Sequence, residues 1–547
     1  GAASRNKVVM SPVTNADYIR AVQHFDEPVI QSGTPTLSAP SATQVLGPLH
    51  HKSTLRYIEE GTANVYGSLL GFRAAPKTSV RPTVICESIV ARGYEVKHGA
   101  PVMRGWKPWR NAAVDMVKPV TDIDEGILDK CVSAFTHDIL SKLTPDDLAE
   151  IHVYDDFTAV NGAQGVAYVD KMNRNTSMGF PWKKSKKHFL QPIPEQHGMS
   201  DPVEFTDEIM DRVNSIISTY ISGSRCMPVF TGHLKDEATK FSKIESARTR
   251  VFCGGAGDWS IVVRKYLLAF VRVLQRNRFI FEAAPGTNAQ SLEWEEIFDF
   301  LTQFGKDRMV AGDYAAFDKR MPPTVILAAF RIMWNVCKAA GYSEEELRVV
   351  WGIAEDTAFP LVDFNGDVVE FFGSNPSGHP LTVIVNCLAN SLYIRYCFAT
   401  IEGVDRLAEF QQLVALMTYG DDNAMGIHKS IPKFNHTSIQ EVLASVGITY
   451  TMADKETASI PYIHISEVSF LKREWRWDED VGAMLCPLEE ASISKSLTRS
   501  VASKTVTPEK QAVDIMSAAC REYFFYGRSK FEEKRAMLME VAEECNL

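Results

Sequence analysis

At 547 residues, with a formal net charge of −10, 45% hydrophobic and 23% charged positions, the chain is too long for one ordinary domain and has the balance of a water-soluble, multi-lobed protein. It carries no apolar run long enough to span a bilayer and no signal-peptide pattern, so a membrane span is not expected, and its ten cysteines contain no C-x-x-C pair, which argues for reduced intracellular thiols over zinc or disulfides. Net acidity weighs against nucleic acid only as an average, because a basic channel can sit on an acidic protein.

Residues 1 to about 140, rich in Pro, Ser, Thr and Gly, read as irregular, and the chain opens on Gly1, as a processed or trimmed chain would. Thr144-Pro145-Asp146-Asp147 predicts a helix start, with a cap, a proline and first-turn acids. Thr176-Ser177-Met178-Gly179-Phe180-Pro181-Trp182 runs into Lys183, Lys184, Lys186 and Lys187. This turn with aromatics and a basic run suits either a nucleic-acid backbone or a solvated loop. Asp201-Pro202 predicts an amphipathic helix reaching about Tyr220. Lys235-Asp236-Glu237 is followed by Lys240, Lys243, Arg248 and Arg250, and the alternation from Arg248 to Phe252 predicts a strand with both guanidiniums on one face. Such a strand is either a triphosphate clamp or a solvent-facing edge.

Met309-Val310-Ala311-Gly312 predicts a short strand that delivers Asp313, with Asp318 past Tyr314 and Phe317. Pro322-Pro323 opens a helix to about Ala340 that Gly341 stops, and Ser343 with Glu346 forms a capping box for the next. Asn365-Gly366 predicts a hairpin turn between 359–363 and 367–372. The loop Gly373-Ser374-Asn375-Pro376-Ser377-Gly378-His379-Pro380 leads into a helix on which Thr382, Asn386 and Asn390 form one polar stripe. Buried, that stripe needs partners, either a ribose hydroxyl or a neighbouring helix.

Two short strands, 413–419 and 423–428, flank the tight turn Gly420-Asp421 within Tyr419-Gly420-Asp421-Asp422. Adjacent carboxylates on a buried hairpin call for a cation, and such oxygen ligands suit Mg²⁺ or Mn²⁺. Downstream, Gly447 to Tyr450 and Ala453-Asp454-Lys455 read as strand and turn, and 467–473 as a strand ending in Lys472 and Arg473. Thr507-Pro508 starts a helix ending near Gly527, and Ser529 with Glu532 caps a second.

Taken in order, these pieces resemble the motif series of RNA-dependent RNA polymerases of picorna-like positive-strand RNA viruses, over roughly residues 160 to 480. The Thr-Ser-Met-Gly-Phe-Pro stretch resembles the template-entrance motif, 235–252 the basic fingers motif, Asp313 with Asp318 motif A, and Ser377-Gly378 with Thr382 and Asn386 motif B. Tyr419-Gly420-Asp421-Asp422 resembles motif C, Ala453-Asp454-Lys455 motif D, and Phe470-Leu471-Lys472-Arg473 motif E. Pro376-Ser377-Gly378-His379-Pro380 and Leu488-Glu489-Glu490-Ala491-Ser492 are most similar to the insect iflavirus and dicistrovirus branch, or a related algal group. An authentic Gly1 would then fit release from a polyprotein by a chymotrypsin-like cysteine protease.

The resemblance implies an α+β, closed right-hand fold: N-terminal extension and fingers from 1–260, a lead-in to the palm from 261–305, palm from 306–340 and 373–480, a fingers return at 341–372 and a thumb from 481–547. It implies two metal ions bridged by Asp313 and Asp421, with Asp422 auxiliary and the Tyr314 carbonyl a further ligand, and Lys455 as general acid or else a salt-bridge partner. Arg248 and Arg250 would hold the triphosphate, with Asp318, Ser377, Thr382 and Asn386 around the ribose. Ser177, Gly179, Lys235, Lys243, Lys472 and Arg473 would contact RNA. The implied partners are an RNA template and primer, ribonucleoside triphosphates, a viral protein primer and other viral replication proteins, in a membrane-associated complex of the host cytoplasm. A reverse transcriptase would carry a bulky aromatic in place of Asp318, and an inactive RNA-binding scaffold would not need every carboxylate and cation.

Overall fold

The structure is a computed structural model that describes residues 53–58, 60–68 and 76–547, together with the paired short strands Val9–Met10 and Gln44–Val45. Gly1 lies outside the described residues. From residue 107 onward the expectation of irregular chain is corrected. After strands β1 (Ala63–Ser68) and β2 (Val80–Pro82) come two helices, α1 (Lys107–Met116) and α2 (Glu125–Lys142). Leu128, Cys131, Val132, Phe135 and Ile139 bury one face of α2 at helical spacing, and Asp124 caps its start.

Thr144 and Asp147 do form a capping box. The amphipathic helix α3 runs Asp207–Ile221 and starts later than expected, because Val203–Phe205 pairs as a strand with Leu190–Pro192. Strand β3 (Val229–Leu234) follows, then β4 (Val251–Gly254) and the long helix α4 (Gly257–Arg276). β4 begins after the two arginines, correcting the expected strand from 248. The alternation nevertheless holds, with Ala247, Thr249 and Val251 buried and Arg248 and Arg250 exposed.

Strands β5 (Met309–Ala311) and β6 (Asp313–Tyr314) lead to α5 (Pro323–Ala340), stopped by Gly341 at φ 107°, and to α6 (Glu344–Ala358), boxed by Ser343 and Glu346. The hairpin β7 (Leu361–Phe364) and β8 (Asp367–Phe371) turns on Asn365 and Gly366, both at positive φ. Helix α7 (Thr382–Glu402) is buried without interruption from Ile384 to Ala399. A helix buried on every side belongs in a core. Its Arg395 is neutralised there by Glu282 at 2.6 Å and Asp138 at 3.2 Å.

The hairpin β9 (Val414–Tyr419) and β10 (Asp422–Ile427) is followed by β11 (Tyr450–Thr451). The chain closes with α8 (Glu490–Thr498), β12 (Arg499–Val501), α9 (Pro508–Phe524) and α10 (Arg528–Glu544). α10 starts on Gly527, so Ser529 lies inside its first turn and does not cap it.

Four sheets among the described residues organise these elements. A five-stranded sheet runs β4-β3-β7-β8-β1, parallel only between β3 and β7. A three-stranded antiparallel sheet runs β5-β10-β9, and β6 pairs with β11 beside it. Finally β12 pairs with β2 through Arg499↔Pro82 and Val501↔Val80, while Ile85 and Ile89 pack into the core formed by α8, α9 and α10. The C-terminal helices are thus fastened to the N-terminal third of the chain. No helix among the described residues is long and apolar enough to cross a membrane.

Candidate active site

The β9–β10 hairpin closes with Tyr419 opposite Asp422, and Gly420 at φ 60° takes the left-handed position its turn requires. The turn is held from below. Asn390 donates from its amide to the carbonyls of Gly420 at 3.0 Å and Asp422 at 3.1 Å, and accepts from the Tyr314 hydroxyl at 3.0 Å. Asn423 donates to the Gly312 carbonyl at 2.9 Å and accepts from the Tyr450 hydroxyl at 2.7 Å. Three strands are thereby locked in register around the turn.

That lock brings the carboxylates of Asp313 and Asp421 near enough for the charge of Asp421 to act on Asp313. Burial pushes the Asp313 carboxyl up, Lys455 pulls it down, and the charge of Asp421 raises it further. Asp421 is accessible at the tip of the turn, yet the protein crowds it enough to raise its carboxyl as well, against the pull of Arg250 and Lys455. Asp422 behaves differently. Its carboxylate accepts from the main-chain N–H of Leu471 at 2.7 Å, and burial together with the charges of Asp421 and Asp313 pushes it up to about 7.

The segment carrying Leu471 is not the expected strand. Leu471 and Lys472 stand at φ 56° and 60°, making a tight turn closed by Phe470 and Arg473. Two successive left-handed residues with side chains are strained, and the turn they build is what aims the Leu471 N–H at Asp422. Arg473 is held by both carboxylate oxygens of Glu522, at 3.0 and 2.8 Å, so it fastens the turn to α9, while Lys472 stays exposed.

Beside the carboxylates lies a second polar cluster. Asn386 donates to Asp318 at 3.1 Å, and burial lifts the Asp318 carboxyl to about 6, with Asp421 adding to the rise. Asn375 donates both to Asn386 at 2.9 Å and to the Thr382 carbonyl at 3.2 Å. The Thr382 hydroxyl bonds the carbonyls of Pro376 and His379, so it shapes the loop. The Ser377 hydroxyl accepts from the Cys253 N–H at 3.0 Å, and Gly378 lies so close to β4 that a Cβ there would meet the Cys253 carbonyl at 2.4 Å. Thr382, Asn386 and Asn390 therefore do share one inward face.

The cationic rim comes from 235–250 and 455. Arg250 pairs with Glu237 at 3.3 Å, which also holds Lys235 at 3.7 Å. The charges of Lys240, Lys455 and Arg250 act on exposed Lys243. Lys455 itself is exposed, whereas general acid work called for partial burial. Ser177 and Gly179 line a cavity of about 990 Å³ that also takes in Trp106, Phe252 and Gly378. Of the basic run beside it, Lys183 is bound to Asp363 at 2.6 Å and Lys186 is buried against Thr176.

As a donor set, Asp313 and Asp421 fit a hard divalent cation completed by water and phosphate oxygens. Among the described residues, no three His, Cys, Asp or Glu side chains converge into a ready-made cage. Asp422, the expected auxiliary ligand, accepts from Leu471 through one carboxylate oxygen and keeps the other for a cation.

Residues 89–521 match the family described as viral RNA-dependent RNA polymerase. The chain belongs to that family. It is 28% identical over 402 residues to the replicase polyprotein of Drosophila C virus (strain EB), matching 70% of this chain and 22% of that protein. The replicase polyprotein of cricket paralysis virus is 26% identical over 404 residues (70% of this chain, 22% of that protein), and the RNA1 polyprotein of cowpea mosaic virus 26% over 388 (68% and 20%). The chain thus spans about a fifth of the length of the curated relatives it matches. A solved structure named Sicinivirus 3Dpol RNA dependent RNA polymerase superposes with a TM-score of 0.69 at 16% identity, covering 88% of this chain and 95% of that one.

The α+β right-hand fold of viral RNA-dependent RNA polymerases is therefore the fold of this chain, and its likeness to insect-virus replicases agrees with the branch its loop motifs resemble. Sequence reading overlooked Asn375, Asn423 and the Leu471 N–H. Asn423 directly follows the paired aspartates, so its position was the available signal; the other two depend on loop conformation and left none.

Proposed function

We propose that this chain copies viral RNA, transferring nucleotidyl groups from ribonucleoside triphosphates to a primer 3′-hydroxyl. The observation that carries the proposal is the gathering of Asp313, Asp421 and the Asp318–Asn386 pair within reach of one another's charges and of the charges of Arg250 and Lys455, with Asp421 exposed. Asp313 and Asp421 would hold two Mg²⁺ or Mn²⁺ ions, with the Tyr314 carbonyl as a further ligand. Such ions, when bound, activate the attacking hydroxyl and neutralise charge on the transferred phosphate.

The chain's own residues do the rest. Arg250 and, more distantly, Arg248 orient the triphosphate, and moving Arg250 from Glu237 to phosphate exchanges one anionic partner for another. Asp318 and Asn386 face the ribose, Ser377 and Thr382 hold the loop that carries them there, and Lys455 delivers a proton to the leaving pyrophosphate once substrate shields it from water. Lys235 and Lys243 line the nucleotide approach, Ser177 and Gly179 the template cavity, and Lys472 the primer side, where Arg473 positions it. The five-stranded sheet joining 63–68, 229–254 and 361–371 supports assigning 1–260 and 341–372 to the fingers. The β5-β10-β9 sheet supports a palm of 306–340 and 373–480 reached through 261–305, and the α8–α10 cluster a thumb of 481–547. A viral protein primer, other replication proteins and a membrane-associated complex in the host cytoplasm complete the proposal.

The test is extension of an RNA primer–template with Mg²⁺ and labelled ribonucleotides, with Asp421→Asn alongside. Extension by the parent alone supports the proposal. Equal extension by both sinks the assignment of the carboxylates, and RNA binding without extension by either favours a scaffold.

A further inference from the structure

We propose that Asn375 is a specificity-positioning residue: it fixes which way the Asn386 carboxamide faces and so gives the pocket beside Asp318 one donor and one acceptor, which a ribose 2′-hydroxyl can answer together and a 2′-hydrogen cannot. The inference rests on the reading of Asp318 and Asn386 as the ribose-facing pair.

The orientation is set first at the Thr382 carbonyl, which can only accept. Asn375 approaches it at 3.2 Å and must present its NH₂ there. The other hydrogen of the same NH₂ is then directed at Asn386, 2.9 Å away, which must offer its carbonyl oxygen. With that oxygen engaged, Asn386 has only its NH₂ to turn to Asp318, at 3.1 Å. Each link excludes the flipped amide of the next, so an orientation set by backbone reaches Asp318 through two side chains.

What remains open is chemically specific. The Asn386 NH₂ keeps one N–H and Asp318 keeps one carboxylate oxygen without a hydrogen-bond partner among the described residues. A hydroxyl donates to the second and accepts from the first. A 2′-hydrogen does neither, and a site built on paired groups rejects a ligand that leaves them unanswered.

A second observation separates this role from simple packing. Asn375 is 4% exposed, and its own Oδ1 meets no donor among the described residues. A side chain kept only to stabilise the loop would gain from satisfying that oxygen or from being apolar. Here the NH₂ end alone is used, and both of its bonds serve orientation. The loop holds it in place, with Ser374 at φ 68° and the Asn375 N–H donating to the Asp318 carbonyl at 2.9 Å.

The experiment compares kcat/KM for ATP and 2′-deoxy-ATP on one RNA primer–template in the parent, Asn375→Asp and Asn386→Leu. Aspartate keeps the shape of Asn375 but cannot donate to the Thr382 carbonyl. The expected result is a fall of about tenfold in the ribo-over-deoxy ratio for Asn375→Asp, carried mainly by a higher KM for ATP, with a fall at least as large for Asn386→Leu. Equal losses for both nucleotides in Asn375→Asp would mean a purely structural role and overturn the proposal. A ratio that falls only in Asn386→Leu overturns the role of Asn375 and leaves the ribose reading standing. An unchanged ratio in both variants overturns the ribose reading itself. Should Asn375→Asp fail to fold, Asn375→Ser is read against the same three outcomes.

Discussion

The Leu471 N–H and the Asp422 carboxylate meet at 2.7 Å, so the second aspartate of the paired motif is bound to the neighbouring strained turn while the first is exposed at the hairpin tip. The two aspartates should therefore tolerate loss of charge very differently. Asp421→Asn is expected to abolish extension, by about a thousandfold or more, as removal of a group acting on the transferred phosphate does. Asp422→Asn can still accept from Leu471 and is expected to lose only about tenfold. Single-turnover rates on a preformed primer–template complex measure both.

The burial of Asp422 fixes a pH dependence, against the pull of the Leu471 N–H. Asp422 is raised to about 7 in the folded chain against about 3.9 unfolded, so the folded state holds the proton more tightly. Its contribution to stability is complete below the unfolded value and is lost as pH rises through about 7. In metal-free buffer, Asp422→Asn should melt a few degrees above the parent at pH 8, and the difference should vanish near pH 4. A higher-melting parent at pH 8 would contradict the sign.

Divalent metal should act in the opposite sense. Ligand carboxylates must be deprotonated, and Asp313 and Asp421 are both raised, so protons compete with the ion. The rise in melting temperature on adding Mn²⁺ should be larger at pH 8 than at pH 6, and chelator should reverse it. The Asp313→Asn, Asp421→Asn double variant should show no such rise at either pH.

Arg248 and Arg250 share a face, and the charge of Arg250 acts on both Asp318 and Asp421. Arg250→Ala is expected to raise the nucleotide KM about tenfold or more, and Arg248→Ala about threefold or less, since an exposed charge contact is worth about 1 kcal/mol or less. Initial rates over a nucleotide series would invert the assignment if Arg248→Ala proved the costlier change.

Gly378→Ala tests the seam between the Ser377 loop and β4. The new methyl would sit 2.4 Å from the Cys253 carbonyl, on backbone that cannot turn aside. We expect a destabilisation of about 1–3 kcal/mol and loss of activity, read by urea titration and extension assay.

How much of this was legible beforehand depends on the range of the interactions. The helix start capped by Thr144, the box at Ser343, the Asn365-Gly366 turn and the Gly420-Asp421 hairpin are each decided by a few neighbouring residues, and the structure has them as read. The face shared by Thr382, Asn386 and Asn390 was legible for the same reason, since helical spacing alone puts them together. What lay beyond the sequence depends on partners far along the chain. The strand Val203–Phe205 exists because Leu190–Pro192 pairs with it, which a proline-and-acid signal at 201–202 does not reveal. The segment 467–473 has an acceptable strand pattern, but Asp422 and Glu522 draw it into a turn. Helix α2 is a different case: Leu128, Cys131, Val132, Phe135 and Ile139 carried its period in plain view, and the Pro- and Gly-rich composition around it obscured them.

The pairing of Val80–Pro82 with Arg499–Val501 sets a schedule as well as a shape. A ribosome adds about 5–20 residues per second, so the earlier strand waits roughly tens of seconds for its mate. Throughout that interval its open edge and the apolar face at Ile85 and Ile89 have no native cover. The ring can shut only after α8 has emerged, which makes this closure one of the last steps of folding and the seam between residues 80 and 501 the place where misassembled chains should first be found.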